Sequence, residues 1–382
     1  MARQAILVAA RRSPVAPRGG ALKTLEVDAL AAPVLTACLD DAGLDGAAVD
    51  EVIVGNALYG GGNPARRLAL FAGVSESVPA LTLDRQCCSG LDAILMAARL
   101  IESGAADCVL AGGVESFSRA PLRLSRPRGP DEAPRPYDRP PFTPWPERDP
   151  EMADAAAALA AHAGIGLEDQ LAYAVASHAK ACAAREAGRL TAELVESAGL
   201  SRDAFARALS MATARRSRAI AGEGESRILT ATTAVEADAA AFVCVVSDRF
   251  AATRSVPDGC RLIGGASAGA DPELPGLAPV VAGQKVLAAT GLHAGRMATV
   301  EVMEAYAVQA MACARALELP AASLNRGGGA LARGHPIGAS GAILAVRLFH
   351  ELRGEPAGAL GFAAIASAGG LGTAAILQRL AG

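Results

Sequence analysis

The sequence predicts an α/β protein made of two halves of like topology, with an irregular segment inserted near the end of the first. Three observations carry this. Short apolar runs alternate with longer Ala-rich stretches, the pattern of strands interleaved with helices. The stretch GLDGAAVDEVIVGN from Gly43 is echoed by GLHAGRMATVEVME from Gly291, an offset of 248 positions and the mark of an internal repeat. Between the halves, Arg119 to Pro150 is dense in Pro and Arg and cannot form regular structure.

In chain order, the first half offers QAILVAA, VDEVIVGN and DCVLAGG as strands and DALAAPVLTACLDDAG as a helix. After the Pro-rich stretch, MADAAAALAAHAG and EDQLAYAVASHAKACAAREAG read as helices, and AAAFVCVVSD as the strand that returns the chain to the first half. The second half supplies the strands ATVEVMEA and ALGFAAIASAGG. The expected organisation is an N-terminal half at 1–115, an inserted loop subdomain at 116–232, a completing strand at 233–258 and a C-terminal half at 259–382.

Composition narrows the function. At 382 residues the chain can bury a large core, and with 52% hydrophobic but 3% aromatic residues that core is built from Ala, Val and Leu. A net charge of −3 predicts neither nucleic-acid binding nor attraction to a membrane. No apolar run reaches the ~18 residues of a spanning helix, and the N-terminal apolar stretch Ala5 to Ala10 is too short for a signal core. The expected location is the cytoplasm. The eight cysteines include no CxxC pair and no His-rich neighbourhood, so neither a metal site nor a disulfide framework is expected. GGGALARGHPIG is Gly-rich but lacks the setting of a dinucleotide site.

Two cysteines stand apart, in LDRQCCSGLDAI, where a strand-like run meets a helix. Moving Cys87 along by the repeat offset lands on His335, in ARGHPIGASGAILAV, also at a junction between a loop and a Gly- then Ala-rich helix. A thiol at a helix N-terminus meets the positive end of the macrodipole, which favours the thiolate, and an imidazole can take its proton. Cys88, one residue on, points about 100° away on a helical turn and is expected to be a bystander.

With these motifs in order, the chain resembles the thiolase superfamily, which includes β-ketoacyl synthases. The likeness runs nearly end to end, through AILVAARRSPVAPRGGALKTL, EVIVGNALYGGGNPARRLALFAG, LDRQCCSGLDAI, AGGVESFSRAP, SHAKACAAREAGRL, GADPELPG and GGGALARGHPIGASGA. The resemblance implies a five-layered α/β/α/β/α fold of two duplicated halves, assembled as a homodimer or tetramer. It implies Cys87 as nucleophile and His335 as base, an oxyanion site at the backbone of Ala368 and Gly369, and a pantetheine-contacting loop in LIGGASAGADPELPG with Gly264 and Ser267 as substrate-binding positions. Acyl-CoA or an acyl-carrier protein would be the thioester donor, with no separate cofactor. His178 matches a helix position read as structural.

The family's second apparatus, which deprotonates an α-carbon, is missing. Met303 stands in MEAYA where the family carries an Asn that holds a water, and a thioether cannot position that water. Ala366 stands where a second Cys shuttles the α-proton. A one-residue shift would put Ser367 there, and its hydroxyl is a poor base. The leading expectation is therefore an acyltransferase that loads Cys87 and passes the acyl group on without the second-Cys step. The alternatives are decarboxylative condensation, conventional thiolase or acetyl-CoA acetyltransferase activity rescued by Ser367 or Cys88, and a degenerate structural partner. The arginines of ARRSR, Arg215, Arg216 and Arg218, are read as an exposed helix face, or as a contact for a carrier protein.

Overall fold

The computed structural model describes residues 3–381 apart from 255, 257 and 258. The expected domain boundary at 258 therefore lies outside the described residues, as do the two ends at 1 and 382. The first half contains β1 (Ala5–Arg12), α1 (Val27–Ala42), β2 (Glu51–Gly55), α2 (Pro64–Phe71), β3 (Ala80–Leu83), α3 (Ser89–Ser103) and β4 (Cys108–Ser116). The inserted segment carries α4 (Met152–Ala163) and α5 (Leu167–Glu186), and β5 (Ala237–Ser247) follows it. The second half contains β6 (Cys260–Gly269), α6 (Ala278–Thr290), β7 (Met297–Val302), α7 (Ala307–Ala316), α8 (Ile337–Arg353), β8 (Leu360–Ser367) and β9 (Leu371–Arg379).

The strands form one path, β7-β8-β9-β6-β1-β5-β4-β2-β3, with a two-residue strand at Ala16–Pro17 pairing beside it on β5. The duplication is visible in that order. In the first half β2 runs parallel to β4, and β4, β5 and β1 follow antiparallel. In the second, β7 runs parallel to β8, and β8, β9 and β6 follow antiparallel. Among the described residues, the two half-sheets hydrogen-bond to each other where Ile6 and Leu7 pair with Arg261 and Cys260.

Each half-sheet is covered on both faces. Along β5, Ala239, Ala241, Val243 and Val245 face one core, while Ala240, Phe242, Cys244 and Val246 face another. A strand buried on both sides reads as an unbroken apolar run, which is why AAAFVCVVSD was legible. Outer helices α1 and α2 cover the first half-sheet, α6 and α7 cover the second, and α3 with α8 fills the space between them. The result is the five-layered α/β/α/β/α arrangement. No described helix is long and apolar enough to cross a membrane.

Two features correct the sequence reading. LIGGASAG is not a loop but most of β6, and its glycines thin the strand so that helices can lie on it: Val286 and Thr290 of α6 lie over Gly264, and Leu95 of α3 over Gly265. β9 was missed, because GGLG precedes it and hides a strand whose residues Gly372 to Leu377 are all buried.

The central helices touch backbone to backbone. A Cβ on Gly341 would lie 2.5 Å from the Leu91 amide nitrogen, and one on Gly90 would lie 2.7 Å from the Gly338 oxygen and the Ala342 nitrogen. A wholly buried ion network then fastens α8 to the insertion. Arg347 of α8 and Arg12 of β1 share Glu193, and Arg12 also binds Asp203 through both carboxylate oxygens. Gly341→Ala is expected to lower unfolding free energy by about 1–3 kcal/mol, the range for overpacking a filled core. An unchanged urea midpoint would refute the close contact.

Candidate active site

Cys87 sits two residues before α3, and Cys88 is the residue that caps the helix. The turn that presents it is strained: Gln86 has φ 49°, a conformation that costs a non-Gly residue about 1–3 kcal/mol. Ser89 compensates, since its hydroxyl accepts from the Arg85 N–H at 2.7 Å and donates to the Gln86 carbonyl at 2.6 Å. The Gln86 N–H also donates to Asp84 Oδ1 at 2.7 Å. Behind the turn, Asp92 of α3 binds Arg85 and accepts from Ser267 and Thr373.

His335 precedes α8 as Cys87 precedes α3, at the same offset of 248 residues, and its Nε2 is 3.2 Å from the Cys87 sulfur. Its tautomer follows from Ser340. That hydroxyl donates to the Pro336 carbonyl at 3.0 Å, so it accepts from His335 Nδ1 at 2.7 Å. With Nδ1 protonated, the Nε2 lone pair faces the thiol. The His335 amide N–H donates to the Val235 carbonyl at 2.7 Å. Glu304 braces the preceding loop from below, accepting from Tyr173, Ser177, Asn325 and the Leu331 N–H. Glu115 holds the start of α8, accepting from the Gly338 N–H at 2.9 Å as well as from Asn56 and the Ala57 and Leu58 amides. Burial raises its carboxyl to about 7.

Burial also sets the protonation of the central pair. It pushes the Cys87 thiol up to about 11, and it lowers His335 to about 4. The pair at neutral pH is thus thiol and imidazole. The thiolate favoured by the helix dipole does not form at rest, because desolvation outweighs a dipole met from outside the first helical turn.

The pair opens into a cavity of about 320 Å³ with a mostly apolar lining. Its walls come from Phe117 and Phe142, from Met152, Ala155, Ala156 and Leu159 of α4, from Pro275, and from Ala305 and Tyr306. Ala366, Ser367 and Ala368 lie on its floor beside Cys87 and His335. Of the positions singled out in the sequence, the structure thus brings together Cys87, His335, Ala366, Ser367 and Ala368. Gly369 lies in the following turn at φ 75°. Met303 is buried in the central core and does not reach the cavity lining. Gly264 and Ser267 do not line it either, since they belong to β6 and its contacts with α6 and Asp92. Cys88 is fully buried with its sulfur toward the Ile365 carbonyl. His178 is buried and accepts from the Arg207 N–H. Arg215 is exposed and paired with Glu168. Arg119, Arg139 and Arg148 of the Pro-rich stretch are each paired with carboxylates.

Sequence reasoning missed Ser340, Glu115 and the α4 wall. Ser340 was findable, since a hydroxyl one turn into the helix after HP can reach back to the imidazole. Glu115 and α4 are brought to the site by β4 and by the inserted segment, and only tertiary structure shows that.

Comparison with known families decides the kinship. The family described as thiolase, N-terminal domain, matches residues 5–243, and thiolase, C-terminal domain, matches residues 259–379. The chain belongs to the thiolase family. Curated relatives include "Putative acetyl-CoA C-acetyltransferase YhfS" of Bacillus subtilis, 37% identical over 99% of this chain and 100% of that protein. "Putative acetyl-CoA C-acetyltransferase VraB" of Staphylococcus epidermidis is 34% identical over 99% of both. Among solved thiolase-family structures, the Bacillus anthracis acetyl-CoA acetyltransferase superposes with a TM-score of 0.90 at 30% identity, covering 99% of both chains. Human mitochondrial 3-ketoacyl-CoA thiolase in complex with CoA superposes with a TM-score of 0.91 at 29% identity, covering 99% of this chain and 98% of that one.

The protonation states of this thiolase-family site give a pH signature. Thioester loading of Cys87 by general-base assistance is expected to be flat from about pH 5 to 9 and to fall as His335 gains its proton near pH 4. A limb centred near pH 6.5 in stopped-time mass spectra would contradict a buried neutral imidazole. Ser340→Ala should slow loading at least about tenfold by freeing the tautomer, without loss of fold by circular dichroism.

Proposed function

We propose that the protein is an acyltransferase that takes an acyl group from acyl-CoA onto Cys87 and passes it to an acceptor without deprotonating an α-carbon through a second cysteine. The supporting observation is the asymmetry of the cavity floor: a thiol–imidazole pair at 3.2 Å faces the methyl of Ala366. In the first step, the Cys87 sulfur attacks the thioester carbonyl while its proton passes to His335 Nε2. The tetrahedral oxyanion collapses, the bond to the CoA sulfur breaks, and His335 returns the proton to the departing thiolate. His335 then takes a proton from an incoming amine, hydroxyl or thiol as that atom attacks the acyl–Cys87 carbonyl, and returns it to the Cys87 sulfur when the carbon–sulfur bond breaks. The product is an amide, an ester or a new thioester, and the transfer calls on no cofactor. The apolar α4 wall suits an aliphatic acyl chain, at about 0.8 kcal/mol for each buried methylene.

A second reading rests on the relatives' names, which assign carbon acetyl transfer to those proteins. It requires a base for the α-proton other than Ala366; in the lining His335 stands 3.2 Å from the thiol, and Ser367, beside it, carries a hydroxyl that is a poor base.

Intact-mass spectrometry against a panel of acyl-CoAs separates these readings. An acyl adduct is expected in the wild type and in Cys88→Ala and absent in Cys87→Ala. Acetoacetyl-CoA thiolysis is expected to be slow and to rise about 10²-fold or more in Ala366→Cys, the size of a restored general base. Brisk wild-type thiolysis that Ala366→Cys leaves unchanged would favour carbon acetyl transfer. An adduct from acyl-carrier protein and from no CoA ester would move the donor, not the chemistry.

A further inference from the structure

The floor of the cavity holds a hydroxyl for which the loading chemistry above has given no role. Ser367 is the last residue of β8 and is 3% exposed. Its Oγ accepts from the Cys87 backbone N–H at 3.1 Å and donates to the Arg85 carbonyl at 3.1 Å. Arg85 and Cys87 flank the strained Gln86, so one hydroxyl closes both sides of the turn that presents the nucleophile. The next residue, Ala368, lines the same floor beside Cys87.

A hydroxyl carries one proton and two lone pairs. With its proton on the Arg85 carbonyl, Ser367 presents a lone pair to the Cys87 N–H. An oxyanion formed at Cys87 would call on that same N–H. A lone pair aimed into the same seat repels the negative charge that loading creates there. Rotation about the Cα–Cβ and Cβ–Oγ bonds removes the conflict, because the hydroxyl proton can leave Arg85 and point at the new anion. The Arg85 carbonyl gives up that hydrogen bond during the step.

We infer that Ser367 is a positioning residue that switches hydrogen-bond partners during loading, holding the Cys87 turn at rest and donating its proton's hydrogen bond to the anion as the sulfur attacks. No proton is transferred: Ser367 keeps its hydrogen throughout, and the thiol proton goes to His335 Nε2. The inference rests on the acyl-transfer reading for its first measurement and is independent of it for the second. Ser367 thus enters as a hydrogen-bond donor, where its sequence position had suggested only a weak base.

The test uses the isosteric pair Ser367→Thr, which keeps the hydroxyl, and Ser367→Val, which removes it. Acyl-CoA loading of Cys87 is followed by intact mass, and iodoacetamide alkylation of Cys87 is followed across pH. Ser367→Val is expected to load about 10²-fold more slowly, the size of a lost oxyanion donor, with the alkaline limb of alkylation moved to higher pH. Ser367→Thr is expected to stay within a few-fold of wild type in both assays. Equal rates and equal limbs for Thr and Val, in proteins of wild-type melting temperature, would overturn the inference. So would fast loading in Ser367→Val. If the wild type loads no thioester, the acyl-transfer reading falls, and the alkylation limbs of the pair still decide whether the Ser367 hydroxyl acts on the thiol.

Discussion

The site depends on how closely two helices can approach. α3 and α8 meet through glycines, with no room for a methyl at Gly90 or Gly341, and each begins two residues after a reactive side chain. Helix axes usually pass 8–10 Å apart, depending on the side chains between them. Glycine at the contact removes those side chains. The approach carries Cys87 and His335 into hydrogen-bond contact although they lie in different halves of the chain. Bulkier residues in the core would fill the same volume and separate the pair, so the low aromatic content is a requirement of the site as well as of the packing.

A buried thiol and a buried imidazole give a different kind of nucleophile from an ion pair. Neither partner holds charge at rest, and the solvent-poor floor opposes charging either one. Ser367 and Ala368, on the floor beside the sulfur, belong to one strand end and turn that the second half of the chain delivers to the first.

Much of this was legible in the sequence because it is local or periodic. The run Ala239 to Val246 announces a strand buried on both faces, and the repeat offset pairs Cys87 with His335 before any coordinates. The misread parts are those where composition suggests one thing and packing requires another. The glycines of β6 look like a turn when taken alone; they make sense only with Leu95 and Val286 lying over them. Gly264 and Ser267, read from the sequence as substrate-binding positions on a loop, lie on this strand. The thiolate expectation failed for a related reason, since a helix dipole is read from sequence and desolvation is not. Ser340 and Glu115 act through partners that are close in space and set by tertiary structure.

The buried network of Arg12, Arg347, Glu193 and Asp203 has a consequence for how such a chain can change. Glu193 and Asp203 come from the inserted segment, while Arg12 and Arg347 come from the two halves. Removing the carboxylates alone would strand the Arg12 guanidinium in a core and leave Arg347 to Glu351 and Glu301, a loss of several kcal/mol where a buried pair is broken. The insertion is therefore not a detachable module. Its inheritance is bound to two arginines far from it in sequence, and a recombined gene that exchanges the segment must exchange those partners with it.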